Sequence, residues 1–408
     1  MINNSLLIAL AIALCSIIWV ELVRDYYHYL AHIWTPLSRL HSWHHRVFKP
    51  DLSVNSVEIY RQAHWYNDVP ESLVMLLFSI GFALLFISQG WISPNYQWLA
   101  WLGSLYTLSF TGSAIARGLG VPYADEITDA THRQGDFTTI PAHWFVNRSY
   151  HWRHHFDDQN AYFCGTFTIV DRIMGTALSL KGKKIAVTGA NGTLGQALIK
   201  QLYLKGAKVT ALTSQNQELF INVKNEQIPI KTFSWQVGEE SNLTNIFEKI
   251  DILILNHGIN VYGEKTAEAI EKSYEINAFS GWRMMELFLK TVKNNQDKAT
   301  KEIWVNTSEA EVNPAFSPLY EISKRTMGDL VTLKRVNSPI IIRKLILGPF
   351  KSKLNPMGVM SGDWVAKQIV NLVIRDFRDI IVTINPFTYL IFPFKEWLML
   401  SYCKVLTK

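Results

Sequence analysis

From residue 72 to residue 116 the chain runs for 45 residues without one Lys, Arg, Asp, Glu or His. A stretch of that length is hard to bury in a water-soluble core, whereas about 20 apolar residues carry a helix across a bilayer. Two transmembrane helices are therefore predicted. Their break falls at residues 90–97, where Ser93, Pro94 and Asn95 offer turn chemistry and Trp91, Trp98 and Trp101 are placed like interfacial anchors. Residues 1–20 are also uncharged and predict a third span. A cleaved signal peptide is the alternative, but no basic residue precedes the apolar run and no small-residue cleavage site follows it.

Cation bias sets the predicted orientation. Arg24, Arg39, Arg46, Lys49 and Arg61 lie between the first span and the hairpin, while the hairpin turn carries no cation. By the positive-inside rule the amino terminus is outside, and residues 21–71 and everything after Arg117 are cytoplasmic. The net charge of +6 is held unevenly: residues 1–180 carry 10 Lys/Arg against 13 Asp/Glu, and residues 181–408 carry 30 against 21. These later cations are scattered, which suits a solvated face near anionic lipid or a phosphate cofactor, and no nucleic-acid partner is expected. Cys15, Cys164 and Cys403 form no CxxC pair, which argues against a disulfide scaffold and a thiolate zinc site.

Eleven of the twelve histidines precede residue 156. They read His28-xxx-His32, His41-xx-His44-His45, His64, His132, His143 and His151-xx-His154-His155. Residues three or four apart share a helix face, so His28 with His32, and His41 with His44 or His45, can each aim imidazoles at one point. Ten imidazoles exceed what one ion can use, so two metals are predicted, with zinc, copper, iron and nickel all compatible with the donors. A metal pair beside apolar helices suggests oxidation of an unactivated C–H bond in a lipid.

The boxes HYLAH (28–32), HSWHH (41–45) and HWRHH (151–155), divided by an uncharged hairpin, resemble the fatty acid hydroxylase and sterol desaturase superfamily over residues 20–178. That resemblance implies an all-α integral membrane domain with two iron ions. Its ligands would be His28, His32, His41, His44, His45, His64, His132, His151, His154 and His155, with an external electron donor. His143 fits no box and is taken as a supporting residue. The text after His132 is Arg-Gln-Gly-Asp, where the family often has Asn. The family also includes wax-type proteins that process aldehydes, and the spacing does not separate these chemistries.

After residues 181–184 the pattern changes. An apolar strand ends in Thr188-Gly189-Ala-Asn-Gly192-Thr-Leu-Gly195, and a helix predicted over 193–205 stops at Gly206. Strand, glycine-rich turn and helix amino terminus form a pyrophosphate cradle. Strands predicted at 208–212, 228–237, 251–256, 302–307, 340–347 and 380–384 alternate with helical stretches, the pattern of a doubly wound parallel sheet of the Rossmann-like α/β type. Tyr320 and Lys324 share a helical face, so the ammonium is expected to lower the phenol pKa and fit it for acid/base work, while Ser308 would hydrogen-bond the reacting oxygen.

This combination resembles the short-chain dehydrogenase/reductase family over residues 182–385, which implies Tyr320 as acid/base, Lys324 as its activator, Ser308 as substrate orienter and Asn277 in a proton relay. Gly189, Gly192, Gly195, Thr213 and Asn256 would bind the cofactor. The second strand ends Leu212-Thr213-Ser214 with no acid to grip a ribose 2'-hydroxyl, so NADP(H) is favoured over NAD(H). Asn256-His257-Gly258 replaces the usual NNAG, and Gln236 stands where an acid usually follows the third strand.

Three segments result: a membrane domain at 1–180, a dinucleotide domain at 181–386 and an apolar tail at 387–408. Pro393, Lys395 and Glu396 interrupt that tail, which reads as an interfacial or a surface-packed helix. The predicted protein is a bifunctional lipid-modifying enzyme, an O2-dependent hydroxylase or desaturase of a sterol-like or fatty acyl lipid fused to an NAD(P)(H)-dependent reductase. Its alternatives are an aldehyde-processing wax-type enzyme and a metal- and cofactor-binding sensor.

Overall fold

A computed structural model describes residues 4–128 and 131–407; the first three residues of the amino-terminal span and the last residue of the tail lie outside the described residues, as do Asp129 and Ala130. The chain divides into two compact units, Met1–Ala177 and Leu178–Lys408.

The first unit is helical. A 30-residue helix, Asn4–Ile33, is followed at once by Thr35–Val47, which carries Pro36 in its first turn, where proline is suited because that turn leaves N–H groups unpaired. A third helix runs over Val57–Ser88 with a π turn at His64–Asp68. Among the described residues, Asn4–Ile33 and Val57–Ser88 are long and apolar enough to cross a membrane. The second limb of the predicted hairpin differs from expectation. Residues Pro94–Trp101 wind as a 3-10 helix, and the α-helix starts only at Leu102 and ends at Leu119. Thr107, Thr111 and Ser113 lower its apolarity and return their hydroxyls to carbonyls one turn back. The helix Arg148–Phe156 is capped by Asn147, whose side chain accepts from the Tyr150 N–H at 3.0 Å.

The second unit is an eight-stranded sheet: β1 Lys184–Thr188, β2 Lys208–Thr213, β3 Leu219–Val223, β4 Glu226–Ser234, β5 Ile252–Leu255, β6 Glu302–Asn306, β7 Ile341–Leu347 and β8 Asp379–Val382. The order is β3-β4-β2-β1-β5-β6-β7-β8, parallel except for β3 against β4. Strands β5 and β7 are buried along their whole length because helices cover both faces; β5 accordingly reads as an unbroken apolar run, whereas β7 carries Arg343 and Lys344, buried and paired with Glu302 and Asp376 and with Glu311 and Glu396. Two separate cores result, one around Val187, Leu198 and Ile369 and the other around Leu253, Phe288 and Val331. The β3–β4 hairpin escaped the sequence reading. Its turn is Lys224-Asn225, both at positive φ (48° and 68°), a pairing suited to a two-residue hairpin loop.

The tail is one helix, Pro386–Leu406, unbroken at Pro393. Glu396 on its inner side is buried and accepts from Lys344 at 2.7 Å, Thr332 at 2.9 Å and Arg335 at 2.9 Å. The charges that seemed to interrupt a lipid-like segment therefore fix one face of the helix to the sheet domain.

Candidate functional site

The first unit gathers its histidines into two groups. Ligand atoms of His28, His32, His41, His45 and His154 lie within 4.8 Å of one another, as do those of His44, His132, His151 and His155. The boxes are shared between the groups by helical geometry. His41 and His45, one turn apart, enter the first group while His44 turns to the second; conversely His151 and His155 enter the second while His154 turns to the first.

Within the first group, Nε2 to Nε2 distances are 3.1 Å for His28–His41, 2.9 Å for His28–His154, 2.9 Å for His41–His45 and 3.2 Å for His45–His154. An ion held at about 2.1 Å separates neighbouring nitrogens by roughly 3.0 Å in an octahedron and 3.4 Å in a tetrahedron. The edges match. Protonation states are fixed from behind. The His28 Nδ1–H donates to the Phe163 carbonyl at 2.6 Å, that of His154 to the Ala161 carbonyl at 2.8 Å, and that of His41 to Asn67 Oδ1 at 2.8 Å. Asn67 uses its Nδ2 on Asp68, so its oxygen is the atom that accepts. Each of these Nε2 atoms therefore turns a lone pair inward. Lone pairs about 3 Å apart repel unless protons or a cation lie between them. Burial holds His44, His45, His154 and His155 well below the ordinary imidazole range, which disfavours the protons. The donor set fits a metal cation. In the second group the edges are 3.0 Å for His132–His151, 3.0 Å for His151–His155 and 3.4 Å for His132–His155.

Support for the rings came from residues the sequence reading missed. Asp171, fully buried, accepts from the Phe163 and Cys164 N–H groups at 2.9 Å, from Tyr150 at 2.8 Å and from Thr176 at 2.6 Å, and so shapes the turn whose carbonyls hold His28 and His154. Asn67 stands three residues after His64, an interval that could have drawn attention to it. His64 itself joins neither group. Its Nδ1 bonds Asp68 at 2.6 Å, and the ring lines a small cavity with His44 and His132. His143 also stays apart, its ring nitrogens 3.0 and 2.8 Å from the Arg172 guanidinium.

In the second unit the carboxyl ends of the parallel strands bring the other predicted residues together, where doubly wound sheets bind their ligands. Gly189 has φ of 61°, and a Cβ on Gly195 would stand 2.3 Å from the Gly189 carbonyl oxygen, so the turn closes only with glycine there. Gly192 caps the helix Thr193–Leu204, which follows β1 through this turn. Thr213 ends β2, its hydroxyl accepting from the Gln215 N–H at 3.2 Å. Asn256 follows β5 directly and accepts from Asn306 at 2.9 Å.

Tyr320 and Lys324 sit on the helix Pro318–Arg335. Lys324 Nζ donates to the Asn306 carbonyl at 3.0 Å, and burial draws its pKa down to about 8. Burial also raises the Tyr320 phenol, and a hydrogen bond with Ser308 partly offsets this. The predicted lowering of the phenol is thus not seen in the protein alone, where desolvation prevails. Asn277 lies on a π turn, Glu275–Phe279, and exchanges bonds of 2.8 and 3.0 Å with the Ile259 backbone while donating to Ser323 at 2.9 Å. His257 was missed. It is half-buried, 2.9 Å from the Thr188 hydroxyl, and desolvation, aided by the positive Lys324, lowers its pKa to about 3.

Residues 183–338 match the short chain dehydrogenase family, so the second unit contains a domain of that kind. The monoglucosyldiacylglycerol epimerase of Synechocystis sp. is 61% identical over 403 residues, which are 98% of this chain and 98% of that one. A short chain dehydrogenase/reductase (dpchH) of Colletotrichum higginsianum is 27% identical over 144 residues, 31% of this chain and 36% of that one. A solved short chain dehydrogenase from Burkholderia cenocepacia in complex with NADP is 16% identical, covers 53% of this chain and 93% of its own, and has a TM-score of 0.44.

Proposed function

This chain belongs to the same family as the monoglucosyldiacylglycerol epimerase of Synechocystis sp., and on that premise we propose that it inverts one carbinol carbon in the sugar headgroup of a monoglucosyl diacylglycerol. The observation that carries this reading is the convergence of Tyr320, Lys324, Ser308 and the Gly189–Gly195 cradle in one site, within a chain that matches that epimerase from end to end.

A carbinol carbon holds its configuration until its hydrogen leaves. Bound NADP(H), favoured over NAD(H) because no acid follows Thr213, supplies the acceptor and donor of that hydride. The chain's own groups manage the proton and the position. Tyr320, once deprotonated, takes the hydroxyl proton as the carbonyl forms, and the same phenol returns it when the carbonyl is reduced from its other face. Ser308 holds the oxygen next to the phenol, and the Lys324 ammonium, fixed by Asn306, favours the phenolate. One hydride leaves and one returns, so the reaction is redox neutral. Incubating the full chain with monoglucosyl diacylglycerol in deuterated water tests this. The product should be a stereoisomer of unchanged mass, with no carbon-bound deuterium. Solvent deuterium at the inverted carbon, or a lipid heavier by one oxygen, would overturn it.

The two histidine groups support a second reading for the first unit, an O2-dependent hydroxylase or desaturase holding two ions. Iron is assigned by the superfamily resemblance, with His28, His32, His41, His45 and His154 for one ion and His44, His132, His151 and His155 for the other. Bound iron would supply O2 activation. Because the epimerisation leaves no net reductant, such an activity needs an external electron donor. Turnover with oxygen excluded separates the two readings: epimerisation continues, and any oxidation of the lipid stops.

A further inference from the structure

We propose that the mouth of the sheet domain's active site is a lipid-docking surface, through which the glycerolipid headgroup enters from the leaflet while its acyl chains stay in the membrane. The inference rests on the lipid-substrate reading only for what enters; the docking stands on the observations below.

Phe316 lies four residues before Tyr320, is 99% exposed and has φ of 57°. A bulky aromatic side chain rarely adopts that backbone, and among the described residues the ring, 99% exposed, has no packing to offset it. Met357, 88% exposed, and Val359 extend from a second loop. Hydrogen bonds join these loops to the catalytic residues. Asn277 holds Ile259; Asn260 donates to the Leu354 carbonyl at 3.3 Å; Ser317 donates to Asn260 at 2.7 Å; and Tyr262 donates to the Lys353 carbonyl at 3.2 Å.

The helix Pro386–Leu406 begins at the same place. Glu309, next to Ser308, accepts from Thr383 at 2.6 Å and Thr388 at 3.2 Å, and Asn313 donates to Thr388 at 2.8 Å. Its polar face is spent on these bonds and on Glu396, while Phe387, Leu390 and Phe394 on the other face are exposed. Isolated exposed apolar residues are ordinary, but an apolar loop tip, a second loop and a whole helix face around one catalytic mouth are not.

Three features point to a bilayer as the occupant. The same chain carries two helices long and apolar enough to cross one. Segment 349–361 contains Lys351 and Lys353, both exposed, and no acid, which complements anionic headgroups. The aromatic content of the tail, with Trp397 and Tyr402 exposed, suits the headgroup boundary.

The test reconstitutes the full chain into phosphatidylcholine vesicles with a minority of phosphatidylglycerol and a trace of phosphatidylcholine bearing a photoactivated diazirine in its acyl chain. After irradiation, lipid adducts should appear on peptides carrying Phe316, Met357 and Leu390 and be missing from the Lys224–Asn225 hairpin. Adducts confined to residues 4–119 would overturn the proposal, as would lysine crosslinks between two copies through Lys351 and Lys353 in place of lipid adducts. A Phe316→Glu, Met357→Glu variant should raise KM for bilayer-borne glucosyl lipid about tenfold or more, from the lost apolar burial, and leave kcat/KM for a short-chain soluble analogue unchanged. An equal loss on both substrates would instead assign these residues to folding or chemistry and overturn the entry route. Lipid adducts without epimerisation of either substrate would refute the epimerase reading and uphold the docking surface.

Discussion

Replacing Asn67 by leucine tests whether the first histidine group is built to hold a cation. Asn67 Oδ1 takes the His41 Nδ1–H at 2.8 Å, and His28 and His154 are held in the same way by backbone carbonyls that substitution cannot remove. Leucine is close to asparagine in size but accepts nothing, so the His41 ring can rotate or shift its proton to Nε2, where it would face two neighbours near 3 Å. A hydrogen bond of this kind next to a charged centre contributes about 1.5–3 kcal/mol. At about 1.4 kcal/mol per factor of ten, affinity for the ion should fall roughly 10- to 100-fold, the range typical of lost supporting bonds at metal sites. The assay is chelator competition on the purified full chain, read as metal retained per protein by mass spectrometry. One ion should become labile while the other, held by His44, His132, His151 and His155, remains. Asn67→Asp, which keeps an acceptor, should restore retention. Equal retention in wild type and Asn67→Leu would refute the reasoning, and so would parallel loss of both ions with unfolding of the unit.

Tyr320→Phe should lower epimerisation by roughly 100- to 10,000-fold while cofactor binding persists, since Lys324 is anchored by Asn306 rather than by the phenol; cofactor titration beside turnover checks both. Gly195→Ala should weaken cofactor binding and destabilise the domain by about 1–3 kcal/mol, because its Cβ would meet a backbone oxygen at 2.3 Å; calorimetry with and without cofactor reads the two effects. Glu240 is pushed up by burial, but bonds from Arg283, Ser280 and Gly238 prevail and hold it at about 2. Its contribution is therefore full above the ordinary carboxyl pKa and fades as pH falls through the folded value. Glu240→Gln should be less stable than wild type at neutral pH, with the gap closing below about pH 4.5 in denaturant titrations.

What the sequence determined by itself was chemistry carried by short spacings. The three histidine boxes, the glycine turn and the Tyr320–Lys324 pair are each contained within a few residues, and helix or turn geometry suffices to place their members on one side. Tertiary structure decided how they combine. His44 and His45 are neighbours in the chain but sit about 100° apart around their helix, so the same box serves two groups, and only the packing of Arg148–Phe156 against it shows which ring goes where. Supporting residues were invisible for the same reason: Asp171 and Asn67 act through carbonyls and rings far from them in sequence. The tail reads from sequence as an interfacial or surface-packed helix, but the task of Lys395 and Glu396 in it stays hidden until Lys344, Arg335 and Glu311 are folded against them. Local spacing is set by bond geometry and survives in the sequence. The partner of a buried charge is set by long-range packing, which spacing does not encode.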